Sequence, residues 1–415
     1  MNRERIVIVG GGAAGFFAAI ACAQARPENE VLIFERGSHF LSKVRISGGG
    51  RCNVTHATLE PGMFATRYPR GDRALIGALH RFPPEDTVTW FERHGVRLKT
   101  EADGRVFPVT DSSGTVIDCL LFEAKAAGVQ LVPRVGVESV ARTENGFSLR
   151  LTNGEETACD RLLLATGGAR STTGALLAQS LGHTIESPVP SLFSLLGANA
   201  WLQSLAGVAV ANVEVSVPGT KLSERGPLLI THQGVSGPAI LRLSAWGARR
   251  LAERGYEFPL VINWLPDLKR EAIADELNAR RTTQPNRRVT GSPMAPLPSR
   301  LWESLTAAAN VPNDTIWTQL TRAHAASLVQ ILTQSEWPVS GKSLNKDEFV
   351  TCGGVRLREV DFRTMESRLV PHLYFAGELL DLDGITGGFN FQAAWTTGWI
   401  AGHAMAEMPS SARLN

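Results

Sequence analysis

The sequence predicts an α/β fold: a parallel sheet begun at the N-terminus, completed at the C-terminus and interrupted by a β-rich insertion. Three observations predict it. Residues 6–36 (IVIVGGGAAGFFAAIACAQARPENEVLIFER) read as strand, glycine turn, helix and strand. A second buried-strand pattern, RLLLATGG at 161–168, runs into a glycine pair. A third, LYFAGELLDLDGITGGFNFQ from residue 373, again joins a strand to a helix through glycines. Uninterrupted apolar runs of this kind are expected of parallel strands covered on both faces.

The first of these stretches organises the rest. Gly10, Gly12 and Gly15 fall in the G-x-G-x-x-G spacing. In that spacing the first glycine permits a tight turn, the second lets backbone approach a pyrophosphate, and the third lets helix pack on strand. The helix from about Ala13 to Ala25 points free N–H groups and its positive dipole end at the phosphate. The second strand ends in Glu35, about 20 residues past the glycines, where a carboxylate can accept ribose hydroxyls. A glycine turn without ligand would leave that acid unexplained. The reading is a Rossmann-like dinucleotide site.

Bulk composition narrows the class. The chain has 415 residues, 43% hydrophobic and 20% charged, enough for two or three domains with ordinary cores. A net charge of +2 demands neither a nucleic-acid nor a membrane partner. The five cysteines are scattered without a C-x-x-C pair, which argues against a disulfide framework or a zinc site. No apolar run reaches the roughly 18 residues of a spanning helix. The first strand begins too near Met1 for a signal peptide, so the expected location is the cytoplasm.

After Glu35, residues 39–56 (HFLSKVRISGGGRCNVTH) contain three consecutive glycines and are expected to be an irregular, backbone-rich loop. Such a loop could close over a flat ligand, with Arg45 and Arg51 available for anionic oxygens. A flexible surface loop is the plainer alternative. Helices are expected over 72–82 and 84–94, the latter opened by Pro84. Arg67, Arg70, Arg73 and Arg81 read as a solvated face. Residues 111–114 (DSSG) cap a helix to Ala127. Strands follow at 129–132, 135–140 and 147–151, with Asn145-Gly146 and Asn153-Gly154 as hairpin turns. The strand at 161–168 should return the chain beside the first one.

From about Pro188 the texture changes. Residues 194–218 have β character. Residues 226–241 (GPLLITHQGVSGPAIL) read as a strand, a Gly-Val-Ser-Gly turn and a helix opened by Pro238. Residues 258–264 are strand-like and 267–337 largely helical. Residues 277–300 hold five arginines, four prolines and no acid. They read as a mobile arm, solvated by default, with an RNA contact as the sharper alternative. The domain bounds are therefore 1–190 and 346–415 for the nucleotide domain and 191–345 for the insertion, with a helical subdomain at about 267–330.

The end of the chain returns to the nucleotide fold. Glu378 follows the strand at Gly377, and Gly387-Gly388 opens a helix through Asn390. That start is a second place where backbone N–H groups face an electron-rich atom. First and last segments sharing one cofactor fold call for a long ligand, and FAD fits.

Six motifs, VGGGAAG, ISGGGRCN, LLLATGG, LLITHQGVSGPA, TMESRLVPHLYFAGELLD and GGFNFQAAW, are spread over most of the chain. With them the sequence resembles the HI0933-like (BaiN/RdsA) family of NAD(P)/FAD-dependent oxidoreductases. The resemblance implies that the insertion is β-barrel-like with a helical subdomain. It implies that Gly10, Gly12 and Gly15 hold the pyrophosphate, Glu35 the adenosine ribose and Glu378 the ribityl chain. Gly49, Gly50, Arg51, Cys52 and Asn53 would lie near the isoalloxazine. Gly388, Asn390 and Phe391 would face its pyrimidine edge, stabilising negative charge on reduction. Ala14, Arg36, Val137, Thr166, Gly167 and Gly377 complete the implied cofactor set, together with Arg45 where it meets a phosphate. Activities associated with such proteins include reduction of a steroid ring, oxidation of an amino ketone, and reduction of uridine to dihydrouridine in large-subunit ribosomal RNA.

The leading expectation is a reductase passing hydride from NAD(P)H through flavin N5 to an activated C=C or C=O. Reduction of a C=C needs a proton donor, for which Cys52, His232 and Cys352 are the candidates. Each has a plainer reading: a buried cysteine is a small hydrophobe, and a lone histidine satisfies backbone. No second G-x-G-x-x-G marks a nicotinamide site, so NAD(P)H would dock transiently. The competing readings are an amine or amino-ketone oxidase and a non-catalytic, FAD-stabilised RNA-binding module.

Overall fold

A computed structural model describes residues 3–58, 60–168, 172–197, 204–343 and 350–407. Contacts divide the chain into two compact units, Met1–Pro190 with Lys346–Asn415, and Ser191–Asn345. The sequence boundary near 346 and residues 198–203 of the expected β stretch lie outside the described residues.

In the first unit the main sheet has seven described strands, in the order Val360–Asp361, Glu366–Ser367, Leu373–Phe375, Arg161–Leu164, Arg5–Val9, Glu30–Glu35, Gln130–Pro133. The five from Leu373–Phe375 to Gln130–Pro133 run parallel, and the two at the other edge antiparallel. Ile6 pairs with Arg161 on one side and Val31 on the other, so the first strand lies at the sheet's interior. Its residues Ile6, Val7 and Ile8 are fully buried, as the unbroken β-branched run requires. The strands Val137–Thr143, Gly146–Leu151 and Glu156–Cys159 form an antiparallel sheet turned at the two Asn-Gly pairs.

The two ends of the chain are joined by the first helix, Ala13–Ala25, and the last, Phe389–Ala406. A Cβ on Gly398 would stand 2.4 Å from the Ala14 carbonyl oxygen, and one on Gly402 2.4 Å from that of Ala18. The helices therefore meet backbone to backbone, which only glycine against alanine allows. Buried Trp395 adds a tilted aromatic contact to Phe17.

Elsewhere a helical glycine has no such task. Gly77 is exposed in the Asp72–Arg81 helix, and a Cβ there meets nothing within 4 Å. Gly77→Ala is expected to stabilise the protein by about 0.5–1 kcal/mol in thermal or denaturant melts, since alanine loses less backbone entropy in a helix.

The second unit is a sheet of seven described strands, in the order Ser335–Val339, Phe258–Asn263, Ala209–Ser216, Ser223–Ile230, Gly234–Ser236, Ser194–Leu196, Gly341–Ser343. All its pairings are antiparallel. Its two lateral edges are consecutive in the chain, linked by Ser340, whose amide donates to Leu196 O at 3.0 Å. One short link thus draws the edges together, which makes the sheet barrel-like. Helices Arg270–Thr283, Ser299–Ala308 and Arg322–Thr333 form the helical part.

Four expectations are corrected. Residues 42–46 of the glycine loop are helical, and the chain breaks only at Ser47–Gly49, whose dihedrals are non-helical. The expected Gly-Val-Ser-Gly turn is a strand from Gly234 to Ser236. The turn lies earlier, with the Thr231 amide donating to Gly234 O at 2.8 Å. Residues 277–300 are packed rather than a mobile arm. Arg280 is buried and donates to Glu276 at 2.8 Å and Ser292 O at 2.6 Å, Arg281 donates to Leu320 O at 2.5 Å, and Val289, Met294 and Leu297 are buried. Arg70 is not solvated either: its Nε donates to the fully buried Asp383 carboxylate at 2.5 Å. Among the described residues no helix is long and apolar enough to cross a membrane.

Candidate functional site

At the end of the Arg5–Val9 strand the chain turns at Gly10, whose φ of +114° favours glycine and whose amide donates to Phe34 O at 2.9 Å. A Cβ on Gly15 would lie 2.1 Å from Gly10 O, so the third glycine sets the helix against the turn. Gly12 differs. It is the N-terminal cap of the Ala13–Ala25 helix, no side chain caps that end, and a Cβ on it meets nothing within 4 Å. The helix therefore presents its first-turn N–H groups to open space, with buried Ala14 just inside.

Glu35 is fixed at the neighbouring strand end by two backbone amides, Gly11 N at 2.9 Å and Gly37 N at 2.6 Å. Both oxygens retain lone pairs for further donors. Exposed Arg36 reaches Thr173 at 3.3 Å. Val135 N donates to Glu35 O at 3.0 Å, which brings buried Val137 to the same corner.

The Arg161–Leu164 strand delivers Thr166 beside Gly10. Its hydroxyl oxygen is buried with no hydrogen-bond partner, an orphan that calls for a ligand or water. Gly167 has φ +77° and open space at its Cβ position. Gly377 approaches Ala14 closely and donates to Thr397 Oγ1 at 3.0 Å. Glu378 accepts from Thr351 N at 2.8 Å and pairs with the Lys43 ammonium.

The glycine loop is tied to the last helix. Gly48, Gly49, Gly50 and Cys52 all have positive φ, and Gly49 and Gly50 have open space at Cβ. Oriented by its partners, the Asn53 amide donates to Thr55 O at 2.9 Å and Val106 O at 3.3 Å while its oxygen accepts from Gly388 N at 3.0 Å. A Cβ on Gly388 would meet Thr55 backbone at 2.6 Å. Gly388 caps the Phe389–Ala406 helix without a side-chain cap, which leaves a second helix start with uncommitted amides. Asn390 contributes backbone only: its side chain clasps Gly384, accepting from N and donating to O at 2.8 Å each. Phe391 stacks on Trp395 at 5.6 Å.

Two expected anion contacts look different in place. The Arg51 guanidinium pairs with Glu101 at 2.7 Å and Asp111 at 3.6 Å and lies 3.9 Å over the Phe107 ring, so it is not available for anionic oxygens. Arg45 is exposed, and its carbonyl accepts from Ser113 Oγ at 2.7 Å.

The three proton-donor candidates have different surroundings. Cys52 and Cys352 have no exposed surface, and burial pushes the Cys52 thiol up to about 12. His232 is exposed in the turn before Gly234 and belongs to the second unit. None of the five cysteines forms a disulfide, and no group of three or more metal-ligating side chains occurs among the described residues. A sealed thiol packs rather than donates. Cys52→Ala is expected to leave turnover within a small factor, where losing a general acid costs about 10²–10⁴-fold, as steady-state rates would show.

Sequence reasoning missed Lys43, Thr351 and His56. Lys43 was visible as a cation ahead of the glycines. His56 stacks on Phe389 at 5.0 Å with Nε2 3.1 Å from Asp103 O, a pairing no local pattern encodes. Burial holds His56, His183 and His403 below the usual histidine range. A depressed histidine binds fewer protons folded than unfolded between its two pKa values. Stability is therefore expected to be full above about pH 6.5 and to fall as pH drops through that value, as melts from pH 8 to pH 5 would record.

Open glycines, an orphaned Thr166 hydroxyl, a pinned carboxylate and two uncapped helix starts fit a dinucleotide carrying a second, electron-accepting ring. Comparison with known proteins agrees. The HI0933-like protein Rossmann domain model matches residues 4–404. A ribosomal RNA dihydrouridine synthase of Escherichia coli (strain K12) is 34% identical, over 99% of this chain and 100% of its own. A 3-dehydro-bile acid delta(4,6)-reductase of Clostridium scindens is 30% identical, over 98% and 100%. In fold, the chain is similar to the 3-ketosteroid-delta4-(5alpha)-dehydrogenase of Rhodococcus jostii RHA1, with a TM-score of 0.52, 14% identity and coverage of 98% and 97%. The chain belongs to the HI0933-like family and is an FAD-dependent oxidoreductase with a Rossmann-type FAD-binding fold.

Proposed function

We propose that this protein is a reductase that uses NAD(P)H to saturate a C=C bond conjugated with a carbonyl, and that its substrate is uridine in ribosomal RNA. One observation carries the reading. Two full-length relatives, at 34% and 30% identity, bear names that describe the same bond change on unrelated scaffolds, a uracil and a dienone. The nearer in identity of these two acts on RNA.

Bound FAD supplies a hydride acceptor and donor at N5. The chain's residues bind and orient it. Amides from Gly12 to Gly15, at the uncapped start of the first helix, hold the pyrophosphate, with Thr166 Oγ1 beside them. Glu35, its oxygens already oriented by Gly11 and Gly37, accepts from the adenosine ribose. Glu378, held by Thr351 and Lys43, serves the ribityl hydroxyls. The uncapped amides at Phe389–Phe391 stabilise negative charge at the ring's pyrimidine edge.

The test is ribosomal RNA transcribed in vitro, hence free of dihydrouridine, incubated with the FAD-loaded protein and NADH or NADPH. The expected result is one uridine gaining the mass of two hydrogens. No gain, with turnover instead on a 3-oxo-4,6-diene bile acid, would move the substrate to the steroid class that the 30% relative favours.

A further inference from the structure

The second unit carries a surface feature outside the flavin chemistry. Helix Pro238–Glu253 packs on its sheet through a stripe that includes Ile240, Leu243, Gly247 and Leu251, all buried. Trp246 lies off that stripe and is 41% exposed, whereas Trp264, Trp302, Trp317, Trp337 and Trp395 are fully buried. Its ring is not needed for the core.

Trp246 borders a concavity of about 340 Å³, lined also by buried Leu222 and Leu243 and by Lys221 and Arg250. That volume is at the lower end of small-ligand sites, about 300–1,000 Å³. Both cations are exposed and have no ion pair among the described residues. The acid at the rim, Glu224, is neutralised by Arg242 Nε at 2.9 Å. The result is an aromatic face beside two uncommitted positive charges, with the lining acid Glu224 already paired and exposed Glu214 reached only through Ser223 Oγ at 3.1 Å.

We propose that this concavity is a nucleotide-binding subsite for single-stranded RNA, with a base stacked on Trp246 and the flanking phosphates on Lys221 and Arg250. Base-on-aromatic stacking tolerates any base, and two cations track the backbone on either side. The proposal rests on the RNA reading above and deepens it by giving the substrate RNA a second foothold.

The experiment uses the full-length, FAD-loaded protein and a fluorescein-labelled single-stranded RNA of about ten nucleotides, followed by anisotropy. Trp246→Ala is expected to weaken binding roughly tenfold or more, and Trp246→Phe to retain most of it. Lys221→Gln with Arg250→Gln is expected to lower the slope of log K against log salt by about 1.4. An unchanged far-UV dichroism spectrum and melting profile in each variant shows that the fold survives. Equal binding by Trp246→Ala and the parent would overturn the proposal. So would loss with the paired glutamines alone, which marks a bare anion patch. A parent that binds no RNA would also overturn it. Dihydrouridine formation separates the two ideas: parent and Trp246→Ala equally active at low RNA would sink the subsite and leave the reductase standing.

Discussion

Gly398→Leu is expected to abolish the native fold or cost at least about 3 kcal/mol, read as loss of soluble protein or a large drop in melting temperature. The atom in the way is the Ala14 carbonyl oxygen, 2.4 Å from where the new Cβ would be. It is backbone in the first turn of the first helix, so it cannot swing aside as a side-chain tip would. Moving it would displace the glycine turn ahead of the first helix and separate the helices that join the chain's two ends. Gly402→Leu should behave alike through Ala18. Gly77→Ala, with empty space around it, is the control that shows the effect is approach and not helix propensity.

Gly12→Leu is expected to do the reverse: keep the fold and lose the cofactor. Gly12 has φ −94°, an ordinary value for any residue, and its Cβ position is free of protein. The side chain would then occupy the space in front of the first-turn amides, where the pyrophosphate has to approach. FAD affinity should fall by roughly 100-fold, about 2.7 kcal/mol, in a titration of the apoprotein, with far-UV dichroism unchanged. Gly15→Leu would separate the cases, because its Cβ strikes Gly10 O at 2.1 Å and the fold itself suffers.

The contrast between those glycines shows what was legible in the sequence. The strand, turn, helix and strand around Gly10, Gly12 and Gly15 are local, so spacing alone encodes them. The strand at 161–164 and its place beside the first followed from the same apolar pattern. Gly398 and Gly402 escaped notice because their partners lie nearly the whole chain away and a glycine inside a helix looks merely weak. Arg280 and Arg281 misled for a related reason. A basic, proline-rich stretch without acids resembles a solvated arm, yet both guanidiniums are satisfied by carbonyls that no charge pattern reveals. Gly234 looked like turn chemistry, but it is a strand residue pressed to 1.9 Å of Leu195 O at its Cβ position. At the site, the sequence named Asn390 at the helix start but not the task of its side chain, which closes a loop on Gly384. Residue type told which atoms were available, not which were already taken.

The central claim is a flavin that a nicotinamide donor reduces. It is tested most directly by recording the anaerobic visible spectrum of the purified protein, then adding NADH or NADPH. The account expects a bound oxidised-flavin spectrum that bleaches with at least one of them. A flavin that stays oxidised with both would contradict the NAD(P)H-reductase reading, and a protein that holds no flavin even when FAD is added would contradict the cofactor site itself.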